Sequence, residues 1–167
     1  MGWGRGHVGA YYYQEGYRIL VWFRRCQFFS SLANSNKIAI PLSLITRFMF
    51  RRVSVKYGFT CSSKTKIGAG LALYHPFGVV INGKAVIGEN VEIGAGVVIG
   101  QAKGTPVIGN NVSISAHATV IGPITVGDNA VIGAGAIVVE DVPENAIVVC
   151  DKAHILKYKE TLIHSGD

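Results

Sequence analysis

The chain has 167 residues, 49% of them hydrophobic, with 21 glycines and a formal net charge of +6. That length suffices for one buried core, and three cysteines (Cys26, Cys61, Cys150) without ligand-like spacing argue against a disulfide scaffold and for reduced thiols in a cytoplasmic protein. Residues 1–60 hold nine Lys and Arg against the single acid Glu15, a balance of +8, whereas residues 61–167 come to −2, so the basicity says nothing about the larger part of the chain.

The opening MGWGRGHVGAYYYQEG lacks a cationic segment followed by an apolar run and a cleavage site, which argues against secretion. Residues 1–60 read as a basic, aromatic α-helical segment in two pieces. The first runs from Gln14 to about Leu32, with Tyr17, Leu20, Val21, Arg24, Gln27 and Phe28 at helical spacing, and the polar run Asn34 to Lys37 ends it. The second starts at Pro41, which suits a first helical turn, and runs to about Val53. Arg24, Arg25, Lys37 and Arg47 interrupt the apolar runs, so none approaches the roughly 18–20 residues a bilayer span requires.

Two roles fit this segment. It covers one end of the domain that follows, or residues 14–56 make a peripheral membrane contact, with arginines flanking Trp22, Phe23, Phe28 and Phe29 and a cytoplasmic protein held at the inner face of the membrane. Nucleic acid is not an expected partner, because no recognised binding motif accompanies the basic residues.

Across residues 61–149 a branched aliphatic recurs every sixth position, usually followed by glycine: at 87, 93 and 99, then at 108, 114, 120, 126, 132 and 138. The frame extends back through Ile81, Leu73 and Ile67 with one two-residue slip, and jumps nine residues between Ile99 and Ile108. Twelve hexads, three to a triangular turn, predict a mainly β fold: a parallel β-helix of about four coils with its aliphatics inward, followed by a tail over 150–167. Hexads starting at 73, 93, 114 and 132 then share one side, and their third positions, His75, Ala95, Ala116 and Ala134, are expected to stack at the ~4.8 Å strand spacing in a groove about 14 Å long. His117 falls in the neighbouring column, facing the same cleft or forming a surface turn.

Residues 66–149 resemble the left-handed β-helix acyltransferases of the serine acetyltransferase type. Leu73 to Ile87 matches that family's stretch around its catalytic His, where a small turn and a VVIN-like strand follow. Within the group the closer resemblance is to the acetyltransferases of exopolysaccharide clusters, in particular the colanic acid acetyltransferases. Those combine a basic-aromatic N-terminal segment ending in a YGF-like turn, here Tyr57-Gly58-Phe59, with a VVGEKAR-like sequence, here Val148 to His154.

The resemblance implies a left-handed coil, acetyl-CoA as co-substrate and a homotrimer with active sites between subunits. It makes His75 the general base, because an imidazole, with an ordinary pKa near ~6.5, takes the proton of an attacking hydroxyl; the plainer reading is an exposed turn histidine. It carries Gly100, Ala116 and Ala134 over as CoA-binding positions, with Lys152 and Lys157 meeting the CoA phosphates or standing as solvated charge. The excursion Gly100 to Val107 supplies Gln101, Lys103 and Thr105 as acceptor-side candidates.

The departures bear on the acceptor. Serine acetyltransferases have an Asp fifteen residues before the catalytic His, where this chain has Thr60; an Asp directly before it, where Tyr74 stands; and an Arg-His pair where Gly104 and Thr105 stand. Those missing groups serve an amino acid substrate, whereas Tyr74, Thr60, Thr105 and His117 suit a carbohydrate. The expected activity is O-acetylation of a sugar hydroxyl on an exopolysaccharide or its lipid-linked precursor, with serine O-acetylation as the alternative. No metal is expected, since zinc enzymes of this fold need three histidines at an interface and only His75 and His117 lie within the repeat.

Overall fold

The computed structural model describes residues 15–151, with two helices leading into a solenoid of short strands. Helix α1 (Glu15–Ser35) and helix α2 (Ile40–Tyr57) are joined by a 3-10 turn at Lys37–Ala39, which Asn36 caps by accepting the Ile38 N–H. Pro41 sits in the first turn of α2. Both helices outrun their expected ends. The stop signal of α2 is Gly58 in the left-handed conformation (φ 61°), whose N–H returns to the Ser54 and Val55 carbonyls.

Fourteen strands follow: β1 (Thr60–Cys61), β2 (Lys66–Ile67), β3 (Ala72–Leu73), β4 (Val80–Ile81), β5 (Val86–Ile87), β6 (Glu92–Ile93), β7 (Val98–Gly100), β8 (Val107–Ile108), β9 (Ser113–Ile114), β10 (Thr119–Ile121), β11 (Thr125–Val126), β12 (Val131–Ile132), β13 (Ile137–Val138) and β14 (Ile147–Val148). They form three parallel sheets in the orders β1-β4-β7-β10-β13, β2-β5-β8-β11 and β3-β6-β9-β12-β14. Each sheet is one side of a left-handed parallel β-helix. The structure adds a strand at each end of the expected twelve hexads, at Cys61 and at Val148.

In nearly every strand one residue points out and the next points in. Aliphatic partners stack along the axis, as in Leu73↔Ile93↔Ile114↔Ile132. Nearly all of these inward residues are buried, each contributing about 1.5–3 kcal/mol through removal from water. Two of the three corners turn through a single left-handed residue. One column is Gly70, Asn90, Asn111, Asn129 and Asn145, whose asparagine side chains donate to one another up the stack at 3.2–3.3 Å. Asparagine tolerates this conformation because its short amide bonds locally.

The lowest coil has no rung beneath it, and α1 covers that end. Arg24 donates from Nη1 to the Ile67 carbonyl at 2.9 Å and from Nη2 to the Gly68 carbonyl, and Gln27 donates to the Thr65 carbonyl at 3.1 Å. Ile19, Phe23 and Cys26 join the core. Gly16 lies so close to Leu73 that a Cβ would run into its carbonyl. The end-covering role expected of the N-terminal segment is therefore observed.

Candidate active site

The corner between the β3 sheet and the β4 sheet decides where His75 stands. Below it the ladder is regular: Tyr74 N–H donates to the Ile93 carbonyl and Gly94 N–H to the Ile114 carbonyl, each at 2.9 Å. Beyond it, Gly96 N–H donates to the Phe77 carbonyl, His117 N–H to the Ala95 carbonyl and Gly135 N–H to the Ala116 carbonyl, at 2.7–3.0 Å. The column is therefore Phe77, Ala95, Ala116 and Ala134, and the expectation of His75 as its first member is corrected. His75 and Pro76 are a two-residue insertion in the first coil, which is the slip seen in the hexad frame. The ladder continues on either side of them while His75 is held outward.

The bulge is strained. His75 has φ 52° immediately before Pro76, a combination that proline disfavours, and its carbonyl accepts the Phe77 N–H at 2.7 Å across the turn. Pro76 is buried while the His75 imidazole is exposed, so the proline anchors the loop that holds the imidazole out. Phe77 packs edge-on against Tyr57 at 5.6 Å, tying this corner to the end of α2.

Next to the alanine column runs a second one, Gly58, Gly78, Gly96, His117 and Gly135, all at φ between 59° and 71°. His117 is the one histidine in a column of glycines. It is exposed, two coils above Gly78, so it flanks the alanine groove about 10 Å along the axis from the His75 corner. At the upper end of the column Cys150 bonds through Sγ to the Ala134 carbonyl at 3.2 Å.

Tyr74 points from the β3 face, where its hydroxyl donates to Glu92 at 3.5 Å; Ser113 reaches the other Glu92 oxygen at the same distance. Glu92 was not foreseen, although the hexad frame sets it one residue before Ile93 on the face shared with Ala72 and Ser113. Below Tyr74, a cavity of about 550 Å³ opens between α1 and the first coil, lined by Tyr17, Leu20, Val21 and Leu71 among others.

Gly100, Gln101, Lys103 and Thr105 lie elsewhere. Gly100 ends β7 and the others follow it, at the far edge of the sheet that begins at the His75 corner, where Gln101 accepts from Asn82 and Thr105 donates to the Lys84 carbonyl, each at 3.4 Å. One chain thus brings Tyr74, His75, Ala116, His117 and Ala134 to one corner and leaves Gly100, Gln101 and Thr105 across the sheet. Lys152 and Lys157 lie outside the described residues.

Residues 105–139 match the family model of the bacterial transferase hexapeptide, six repeats. The putative colanic acid biosynthesis acetyltransferase WcaB of Escherichia coli is 34% identical over 125 residues, 72% of this chain and 75% of that protein. The chain belongs to the hexapeptide-repeat acetyltransferase family. Another member of the family, serine acetyltransferase 2 of Arabidopsis thaliana, is 31% identical over 92% of this chain but only 45% of its own length. A solved serine acetyltransferase in complex with CoA superposes with a TM-score of 0.70 at 29% identity, over 86% of this chain and 58% of that one. The chain therefore spans about half the length of these serine acetyltransferases and three quarters of the colanic acid relative.

Proposed function

We propose that this hexapeptide-repeat protein is an acetyl-CoA-dependent O-acetyltransferase whose acceptor is a sugar hydroxyl of an exopolysaccharide or its lipid-linked precursor, and that it works as a homotrimer. The observation that carries the reading is the insertion at His75: a strained backbone holds an exposed imidazole at the foot of a groove floored by Ala95, Ala116 and Ala134. Strain of this kind, about 1–3 kcal/mol, persists where the surroundings enforce it, and it concentrates at functional sites.

In this reading the pantetheine arm of acetyl-CoA lies along the alanines, whose small side chains leave the backbone within reach. His75 removes the acceptor hydroxyl's proton as that oxygen attacks the thioester carbonyl. The C–S bond then breaks, the acetyl group stays on the acceptor oxygen, and the imidazolium returns its proton to the departing thiolate. Tyr74, Glu92 and His117 offer donors and acceptors for a polyol, and the cavity beneath Tyr74 suits the apolar portion of a lipid-linked sugar.

Two features support the trimer. Gly100, Gln101 and Thr105 lie across the sheet from their own His75 corner, so a role for them at an active site requires a neighbouring copy, and Ile137 and Ile147 point outward at 73% and 72% exposure, a pattern suited to burial between subunits.

The serine acetyltransferase relatives support a second reading, serine O-acetylation in the same groove. Free serine would need a carboxylate for its ammonium and a cation for its carboxylate; Thr60, Tyr74 and Thr105 supply neither, so Glu92 beside Tyr74 would have to meet the ammonium with no cation from these positions for the carboxylate. Release of CoA thiol from acetyl-CoA, measured with serine, nucleotide sugars and oligosaccharides, separates the two. Turnover with a carbohydrate well above that with serine is expected. Saturable serine acetylation faster than with every sugar would overturn the acceptor reading.

A further inference from the structure

The helix α2 carries apolar side chains on both of its faces. Its inner face buries Phe50 and Tyr57 but also Ser43, Thr46 and Ser54, while its outer face exposes Leu44 at 59%, Phe48 at 59% and Val55 at 74%, with Ile45 beside them and Ile38 in the turn before it. The buried hydroxyls are only partly accommodated. Thr46 bonds back to the Leu42 and Ser43 carbonyls at 3.0 Å and Ser43 meets Ser30 at 3.4 Å, but the Ser54 hydroxyl is buried without a partner. A helix that needed only to pack on α1 in water would not turn this many large apolar side chains outward while burying three hydroxyls. An outward apolar strip of this size marks a surface that something covers.

Charge identifies the occupant. Arg47, Arg51, Arg52 and Lys56 are exposed on the same helix, and no Asp or Glu occurs anywhere between Glu15 and Glu89. Arg52 lies over the Phe48 ring at 5.7 Å, so aromatic and cation share one surface. A second copy of this face would bring like charges together, whereas anionic headgroups meet the cations and acyl chains take the apolar side chains. No helix among the described residues is long and apolar enough to cross a membrane, so the contact is with the surface.

We propose that the outer face of α2 docks the protein on an anionic lipid bilayer, with the helix axis in the plane of the interface, Leu44, Ile45 and Phe48 inserted, and Arg47, Arg51, Arg52 and Lys56 at the phosphates. This surface is separate from the His75 corner and does not depend on the acceptor reading; it would hold the enzyme where lipid-linked intermediates are made.

The test is co-sedimentation of the full chain with phosphatidylcholine vesicles and with mixed phosphatidylcholine–phosphatidylglycerol vesicles at low and high salt. Binding to the mixed vesicles alone, weakening as salt rises, is expected. The triple variant Leu44→Ser, Ile45→Ser, Phe48→Ser changes exposed positions only and should lose at least about tenfold in partitioning, and Arg51→Gln with Arg52→Gln roughly fivefold per charge removed. Circular dichroism checks that each variant keeps its fold. Failure of the parent to sediment with mixed vesicles at low salt, or equal binding by the triple variant, would overturn the proposal. So would a smaller lipid-free assembly for the triple variant by light scattering, which would assign the face to a contact between copies. Since binding is read without acetyl transfer, its failure leaves the acetyltransferase reading intact.

Discussion

Arg24→Met keeps the aliphatic length that packs at the base of the coil and removes only the guanidinium. Two carbonyls of the lowest rung, Ile67 and Gly68, then lose a charged donor, and no strand lies below to replace it. Hydrogen bonds to charged groups contribute about 1.5–3 kcal/mol each. The lower end applies here, because Arg24 is part-exposed, water reaches the freed carbonyls, and burial already lowers the guanidinium pKa, a desolvation cost that methionine would relieve. The net loss should be about 2 kcal/mol. With a urea m-value of ~2 kcal/mol/M for a chain of this size, the unfolding midpoint should fall by about 1 M at matched protein concentration. Gln27→Met removes the bond to the Thr65 carbonyl and an acceptor of Arg24 Nη1, and should cost about 1–2 kcal/mol while leaving the two Arg24–carbonyl bonds in place. If the Arg24 variant unfolded at the parent's midpoint, α1 would not be closing the coil through these bonds.

His75→Ala should lower acetyl transfer by ~10²- to 10⁴-fold while CoA affinity, measured by calorimetry, stays nearly unchanged, because the alanine column is untouched. Cys61 should give the fold an alkaline limit: burial pushes its thiol up to about 11, against a smaller opposing pull from Thr65. The unfolded thiol ionises near 9 while the folded one stays protonated, so this contribution is complete below pH 9 and disappears as pH rises to about 11. The stability difference between the parent and Cys61→Ala should therefore shrink by about 2 kcal/mol across that interval, followed by urea unfolding at each pH.

The coil was legible because its physics is periodic. An inward aliphatic every six residues, with a small or turn-forming residue at the corner, describes one side of the prism, and the sides repeat. Counting failed where the chain leaves the period. The slip between Leu73 and Ile81 was visible, but only the ladder reveals that the extra residues are His75 and Pro76 and that Phe77 takes the column position. The end strands at Cys61 and Val148 lack the aliphatic-glycine pair and were missed for that reason. In α2, apolar residues lie all round the helix, so periodicity has no preferred face, and the burial of Ser43, Thr46 and Ser54 was not readable. Arg24 stood in the expected helix, yet nothing in its spacing signals that its partners are carbonyls some 43 residues away.

The two histidines of the repeat break the fold's own rule at the same corner. A six-residue coil needs a left-handed residue there, and Gly78, Gly96 and Gly135 meet the demand at no steric cost, as glycine does. His117 occupies that position with a side chain, and His75 adopts a left-handed φ in an inserted loop that the coil does not require. The other left-handed corner shows how the scaffold behaves when only folding is at stake: after Gly70 it uses asparagine four times and links the side chains into a ladder. Neither histidine has such a ladder, and both imidazoles stand in solvent beside the alanine column. Local choices that contradict the surrounding pattern without a structural return are the ones to assign to chemistry. That argument supports the proposed placement of the working edge at the β3–β4 corner, away from the end that α1 covers, and the proposed docking of α2 would set where that edge is held.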